Sequence, residues 1–208
     1  GTDLAFMLAL MRILMKEDLY DGEFVRRHTN LPFLMTRDDK GDWHLVTDAE
    51  GRPQAVEEDS DKLRSLKKFS NHNHKDYEGH GFTPGLQVPP GFSLEGRPVK
   101  TVFQVQLEEL DPYTPEWAAE ITGITAQTIS RIAHEFGNTR PAIVDPGWHG
   151  ARFGNIMMLR RVQAMVQALI GGIDSVGGWM NSGEVHHKAH QMYHAMEDGY
   201  EMGAPLAN

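Results

Sequence analysis

The sequence predicts a helix-rich α/β fold, in which helices flank an open, Rossmann-like sheet and a long irregular insertion leaves the core. Three observations lead to this prediction. Apolar residues recur at helical spacing near the start and in the C-terminal half of the 208-residue chain. Short strand-like runs lie between these stretches, whereas residues 48–96 show no periodicity. The order helix, strand, loop, helix in the C-terminal half is typical of an open sheet with a ligand crevice at the strand's carboxyl end.

Two helices are predicted at the start of the chain. Residues 3–19 carry apolar side chains three or four positions apart, namely Leu4, Met7, Leu8, Met11, Leu14 and Met15. Thr2 or Asp3 can cap this helix, because a short polar side chain accepts a hydrogen bond from the first turn. A second, short helix is expected over residues 22–28.

The next predicted elements are strands around an irregular stretch. Residues 31–36 and 43–46 predict two short strands joined by a turn. Residues 48–96 contain an acidic cluster, a basic cluster and a Gly- and Pro-rich segment in succession. We expect a surface insertion there, because long irregular loops are uncommon inside compact domains. Residues 99–107 alternate like a strand, and a helix remains the alternative for the second half of the segment 99–110.

The C-terminal half shows clearer signals. Thr114 and Thr125 each precede a helical stretch as N-cap residues. Residues 142–144 predict a short buried strand. The glycine-bearing loop 145–154 then leads into a long apolar helix over residues 155–170.

Composition excludes several classes of protein. Apolar residues make up 40% and charged residues 24%, which is typical of a globular chain. A net charge of -9 argues against nonspecific nucleic-acid binding, which depends on neutralising phosphates. The chain has no cysteine, which excludes disulfides, thiolate nucleophiles and cysteine-ligated iron-sulfur clusters within it. No apolar run approaches the roughly 20 residues that span a bilayer, so we expect no direct membrane insertion.

The first candidate site is the loop before the long C-terminal helix. Backbone amides at a helix start attract phosphate, glycines permit close approach, and an arginine can pair with phosphate through two N–H groups. The spacing differs from the G-x-G-x-x-G of dinucleotide-binding proteins, so a purely structural turn remains the alternative. The candidate ligand-binding residues of this loop are Gly147, Trp148, His149, Gly150, Arg152 and Asn155.

The second candidate is the start of the first helix, with Gly1, Thr2 and Asp3. An aspartate there ordinarily caps the helix or interacts with its dipole. The functional alternative is that the carboxylate accepts two hydrogen bonds from the N1–H and N2–H edge of a guanine.

The third candidate lies in the Gly-, His- and Met-rich C-terminal segment 180–208. His187, His190 and His194 would share one face of a helix and could hold a transition metal. A solvated surface is the alternative, since the segment lacks a carboxylate-histidine metal motif.

Several motifs follow one another along the chain. They are GTDLA at residues 1–5, LYDGEFV at 19–25, YTPEWAAEITGI at 113–124, RPA at 140–142, GWHG at 147–150, and LIGGID at 169–174 with Gly177 and Gly178. Together they resemble the middle of the molybdopterin oxidoreductases of the dimethyl sulfoxide reductase family. Residues 48–96 stay unmatched, as a variable insertion would.

The resemblance implies that residues 1–208 form a single central α/β portion of a much larger catalytic subunit. In that family two molybdopterin guanine dinucleotides hold one molybdenum or tungsten, where two-electron redox chemistry takes place. The Gly1, Thr2 and Asp3 motif would bind the guanosine end of one dinucleotide. The loop from Gly147 to Asn155 would approach the same cofactor.

The resemblance also implies partners. These are an iron-sulfur electron-transfer subunit, in a complex of anaerobic respiration, together with the remaining domains of the same polypeptide. Residues 27–34 are similar to periplasmic branches of the family, although a cytoplasmic location stays open. The metal-ligating residue and any iron-sulfur cluster would lie in an N-terminal part outside this chain, which has no initiator Met. The parent protein is then an enzyme and this piece alone is inactive; the rival hypothesis is a stand-alone nucleotide- or metal-binding module without catalysis.

Overall fold

The structure is a computed structural model that describes residues 1–67, 79–147 and 154–179. Within these ranges the chain forms helices and strands in alternating groups. The helices are α1 Asp3–Lys16, α2 Gly22–His28, α3 Val102–Glu109, α4 Pro115–Thr122, α5 Ala126–Asn138 and α6 Ile156–Leu169. The strands are β1 Leu34–Arg37, β2 Trp43–Leu45, β3 Gln54–Val56, β4 Leu63–Ser65, β5 Ser93–Leu94 and β6 Arg97–Thr101. The mixed, helix-rich α/β class predicted from the sequence is confirmed.

Helix α1 is the centre of the helical layer and packs against α3, α4, α5 and α6. A helix that is apolar on nearly every side is stable only when surrounded by other elements. The buried residues of α1 are Ala5, Met7, Ala9, Leu10, Met11, Ile13, Leu14 and Met15. The predicted first helix is thus confirmed, although it ends at Lys16 rather than near residue 19.

Helices α1 and α6 lie side by side and run parallel. At one end, the Asn155 side-chain amide donates to the Gly1 carbonyl at 3.3 Å. At the other end, the backbone N–H of Asp21 donates to the Leu169 carbonyl at 2.7 Å. Both helices have 14 residues, or about 21 Å at 1.5 Å per residue. Their N-termini therefore open at the same end of the helical layer.

The strands form antiparallel sheets beside the helices. One sheet has the order β2-β1-β6-β5, and β3 pairs with β4 in a second. In the first sheet Leu34 lies opposite Thr101 and Met35 opposite Leu45. Thr101 ends β6 and caps α3 through a capping box with Gln104, so the segment 99–110 is half strand and half helix.

Part of the predicted insertion is ordered in the described ranges. Strands β3, β4 and β5 all fall within residues 48–96. Val56, Leu66 and Leu86 are buried there, and the Leu86 carbonyl accepts a hydrogen bond from the buried Thr101 hydroxyl at 2.6 Å. That this range is an insertion relative to other proteins stays a prediction.

The structure corrects one predicted strand. Residues 142–144 form no strand, and Ile143 is 53% exposed rather than buried. Their backbone groups bond to side chains instead of to a neighbouring strand. The Gln167 amide accepts from Val144 N–H at 2.9 Å and donates to the Ala142 carbonyl at 3.1 Å. The Trp179 indole N–H donates to the Val144 carbonyl at 2.8 Å, so side chains rather than a neighbouring strand bind three backbone groups of this segment.

The other predicted helices and strands are present, although β1 covers Leu34–Arg37 rather than residues 31–36 and Thr2 makes no capping hydrogen bond at α1. Thr114 and Thr125 cap α4 and α5 by accepting from Trp117 N–H and Thr128 N–H. None of the helices in the described ranges is long and apolar enough to cross a membrane.

Candidate functional site

The structure brings two of the predicted binding segments together. Gly1 and Asn155 are 154 positions apart in the sequence, yet the Asn155 Nδ2 group donates to the Gly1 carbonyl at 3.3 Å. The contact follows from the parallel packing of α1 and α6, which places both helix starts at one end. The start of α1 and the end of the glycine loop thus belong to one candidate site.

The two helices that begin at this site differ from the other helices in the described ranges. Asp21, Thr101, Thr114 and Thr125 cap α2, α3, α4 and α5 with a side-chain hydrogen bond. The N-cap residues of α1 and α6, Thr2 and Asn155, make no such bond. The first N–H groups of a helix have no partner within the helix and carry partial positive charge. Two neighbouring uncapped N-termini therefore favour a negatively charged group, such as phosphate, at this end.

Asp3 is the acidic residue of this end. It occupies the first position of α1, and its side chain is 65% exposed. The N-cap residue is Thr2, and one Asp3 carboxylate oxygen lies 3.7 Å from the Gly1 amino group. An ionised carboxylate accepts hydrogen bonds through both oxygens, so Asp3 can receive two parallel N–H groups from a ligand. Its ordinary role beside the helix dipole is compatible with the same position.

Arg160 binds the backbone at the start of the glycine loop, a role that the sequence did not predict. From α6, its guanidinium donates to the Pro146 carbonyl and, at 2.9 Å, to the Gly147 carbonyl. Asp145 accepts from Gly147 N–H at 2.8 Å, and Gly147 has a φ of +69°, which favours glycine. The available signal was the pair Arg160 and Arg161 within a largely apolar helical stretch.

Gln167 is a second residue missed by the sequence reasoning. It is fully buried in α6, and its amide joins residues 142–144 to the turn after α6 by also donating to the Gly172 carbonyl at 2.8 Å. A Cβ at Gly172 would lie 2.0 Å from the Gln167 Nε2 atom, so only glycine fits there. A buried polar residue on the core side of an apolar helix is costly unless it is fully hydrogen-bonded, and here it is bonded on both sides.

Several predicted site residues lie outside the described ranges. They are Trp148, His149, Gly150 and Arg152 of the glycine loop and His187, His190 and His194 of the C-terminal segment. Their predicted roles stay predictions. Within residues 1–67, 79–147 and 154–179, no group of three or more His, Cys, Asp or Glu side chains could hold a metal ion.

Comparison with known proteins supplies the family. No protein-family model matches the chain. It is 39% identical over 141 residues to a sulfite dehydrogenase subunit of Allochromatium vinosum, covering 66% of this chain and 14% of that protein. It is 26% identical to the alpha subunit of perchlorate reductase from Dechloromonas aromatica, covering 87% of this chain and 22% of the relative. A shorter match of 65 residues, 45% identical, covers 31% of this chain and 8% of the dimethyl sulfoxide reductase DmsA of Haemophilus influenzae.

These relatives have a common class. Each is the catalytic subunit of a molybdopterin oxidoreductase, and each match covers less than a quarter of the relative's length. The chain is therefore a homologue of a fragment of the catalytic subunits of molybdopterin oxidoreductases of the dimethyl sulfoxide reductase family.

Proposed function

We propose that this chain forms the part of a molybdopterin oxidoreductase catalytic subunit that binds one molybdopterin guanine dinucleotide. The observation that carries the proposal is the hydrogen bond between Asn155 and Gly1. It joins the two segments that the family resemblance assigns to the same cofactor, at the shared open end of α1 and α6.

The residues at this end match the chemical parts of the dinucleotide. The exposed Asp3 carboxylate offers two acceptors in a plane, which suits the N1–H and N2–H donors of guanine. The uncapped starts of α1 and α6 offer backbone N–H groups and positive dipole ends, which suit a diphosphate. Arg160 holds Gly147 at the border of the loop, where a backbone without a side chain permits close approach.

The chemistry of the whole enzyme would come from the bound group, which supplies two-electron redox chemistry at molybdenum or tungsten. The residues of this chain bind and orient the dinucleotide. We propose that any iron-sulfur cluster and the metal-ligating residue belong to other parts of the same polypeptide, and that this chain alone has no activity. Two of the relatives are named as subunits, which supports a partner subunit for the whole protein. Following the family resemblance, we propose that this partner is an iron-sulfur electron-transfer subunit and that the complex is respiratory and periplasmic.

Guanine recognition by Asp3 can be tested with nucleotides alone. Binding of GDP and ADP to the full chain is measured by isothermal titration calorimetry, before and after Asp3→Asn. We expect the unaltered chain to prefer GDP, because adenine does not present the paired N1–H and N2–H donors. The substitution removes the charge and turns one acceptor into a donor, so GDP affinity should fall about ten- to a hundred-fold, as for a lost pair of charge-assisted hydrogen bonds.

The matched control is Glu116→Gln. Glu116 is also an acidic residue in a first helical turn, that of α4, whose N-terminus Thr114 caps. This variant should bind GDP like the unaltered chain. A folded Asp3→Asn variant with unchanged GDP affinity, or equal binding of GDP and ADP by the unaltered chain, would contradict the proposal.

A further inference from the structure

A cleft away from the candidate cofactor site lies between α2 and residues 79–84. Its volume is about 480 Å³, and Glu23, Arg26, Arg27, His80 and Phe82 line it. A second cleft of about 370 Å³ adjoins it and shares Arg27 and His80. The lining of the second cleft includes the apolar side chains of Phe33, Pro53 and Leu66. Both clefts therefore carry cationic side chains, including Arg26 in the first and Lys67 in the second, and the second adds apolar walls.

Arg26 lines the first cleft and carries a donor without a partner among the described residues. Its terminal Nη2 group pairs with Glu58, and its side chain is 24% exposed. The Nε group is buried and has no hydrogen-bond partner in the part of the chain that the structure describes. A buried donor without a partner costs free energy. A Cβ at Gly22 would lie 2.6 Å from the Arg26 Nη1 atom, so glycine there gives the guanidinium its space.

Arg27 lies at the border between the clefts. Its Nη1 group pairs with Glu23 at 2.7 Å, but the Glu23 side chain is 78% exposed, so water screens this ion pair. Gly79, with a φ of +89°, passes close to the guanidinium, since a Cβ there would lie 3.3 Å from the Arg27 Nε atom. The backbone at Gly79 thus leaves Arg27 room to face an occupant of the cleft.

The cationic groups outweigh the acidic ones at His80. Burial lowers the pKa of His80, and the positive charges of Lys67 and Arg27, together with His28, lower it further. Burial and the charge of Arg27 likewise lower the pKa of His28. At His28 the charges of Glu23 and Asp21 oppose that of Arg27, whereas the described charges that act on His80 are all positive. Positive charges between partly buried walls favour an anion.

We propose that these joined clefts bind a small organic anion. Its carboxylate would lie against the guanidinium groups of Arg26 and Arg27, and its apolar body against Phe33 and Pro53. The planar guanidinium groups suit the two oxygens of a carboxylate. The clefts lie on α2 and the predicted insertion rather than at the open end of α1 and α6, so this site is separate from the proposed cofactor site.

The test uses benzoate as the probe and the full chain, with binding measured by ligand-observed NMR. Benzamide, the neutral amide of similar shape, and inorganic sulfate are compared under the same conditions. We expect benzoate to bind at least about ten-fold more tightly than either, because the cleft matches both a charge and an apolar ring. GDP at saturating concentration should leave benzoate binding unchanged.

Two substitutions examine the arginines. Arg27→Ala should weaken benzoate about ten-fold, and so should Arg26→Lys, which keeps the positive charge for Glu58 but removes the planar guanidinium group. The matched control is Arg131→Ala, since Arg131 pairs with Glu135 four positions away at 2.7 Å, as Arg27 pairs with Glu23. Circular dichroism establishes that each variant is folded, and Arg27→Gln replaces Arg27→Ala if that variant unfolds. Benzamide or sulfate binding as tightly as benzoate, or folded arginine variants that bind benzoate normally, would overturn the proposal.

Discussion

Gln167→Met is the substitution that separates the tertiary arrangement from local helix formation. Methionine keeps the length and volume of the side chain and is a good helix former, so α6 itself should be unaffected. The amide, however, makes three hydrogen bonds, to Val144 N–H at 2.9 Å, the Ala142 carbonyl at 3.1 Å and the Gly172 carbonyl at 2.8 Å. All three would be lost.

The expected loss of stability depends on which hydrogen bonds each backbone group keeps in the variant. The Gly172 carbonyl keeps the Trp179 N–H at 2.8 Å, whereas Val144 N–H and the Ala142 carbonyl lose the Gln167 amide, and both residues are only half-buried. Two groups that water reaches in part cost about 1 to 1.5 kcal/mol each, so the free energy of unfolding should fall by about 2 to 3 kcal/mol. For a chain of this size the melting temperature should fall by about 4 to 12 °C.

The assay is urea unfolding followed by circular dichroism, with a thermal melt as the second measurement. The control is Gln163→Met, because Gln163 is also buried in α6 but accepts only one bond, from Arg160 at 3.2 Å. The control should cost less than about 1 kcal/mol. Gln167→Met should also weaken GDP binding, since residues 142–144 lead directly into the loop at Gly147. A Gln167→Met variant as stable as the unaltered chain would refute the reasoning that this amide holds the segment.

Two further predictions concern pH and backbone space. The Glu17 carboxylate accepts a hydrogen bond from the His134 ring at 2.7 Å and raises the pKa of His134. A second hydrogen bond, from the His134 ring to a backbone carbonyl, also raises this pKa. Only the protonated ring can donate both hydrogen bonds. The pair should therefore stabilise the folded chain below about pH 6.5, and this stabilisation should be lost as the pH rises through the raised pKa of His134. Because both side chains are exposed, we expect a contribution of about 0.5 kcal/mol. Urea unfolding of Glu17→Gln across this range checks the effect, and a difference that grows at high pH would contradict it. Gly178→Ala should lower the free energy of unfolding by about 1 to 3 kcal/mol, because the alanine Cβ would lie 2.2 Å from the Gly172 carbonyl oxygen. The control is Gly154→Ala, whose Cβ would meet no atom of the described residues within 4 Å. In a thermal melt the control should unfold at the same temperature as the unaltered chain.

Local patterns accounted for most of the helices. Thr114 and Thr125 were recognised as caps because the capping bond spans three residues, which sequence shows directly. The apolar spacing of residues 3–19 predicted a buried helix, because residues three or four positions apart lie on one face of a helix. The strand expected at residues 142–144 failed because a short apolar run has the same appearance whether a sheet or side chains satisfy its backbone.

The candidate site was only half accessible to sequence reasoning. Asp3 and the loop at Gly147 were identified by residue type and family resemblance. Arg160 and Gln167 were missed because their partners, the carbonyls of residues 146, 147 and 142, lie 13 to 25 positions away. Every residue has a backbone carbonyl, so the pattern of side chains does not indicate which carbonyl a guanidinium or an amide will bind.

The sequence by itself determined most of the helices, the caps at Thr114 and Thr125 and the family, because these depend on side chains within a few residues or on motifs in order. Only the tertiary structure decided that Gly1 and Asn155 meet and that α1 and α6 open at the same end. The parallel packing of two helices depends on how their apolar faces fit together across the core, and this fit is a property of both surfaces at once. The proposed nucleotide site rests on that packing rather than on either motif alone.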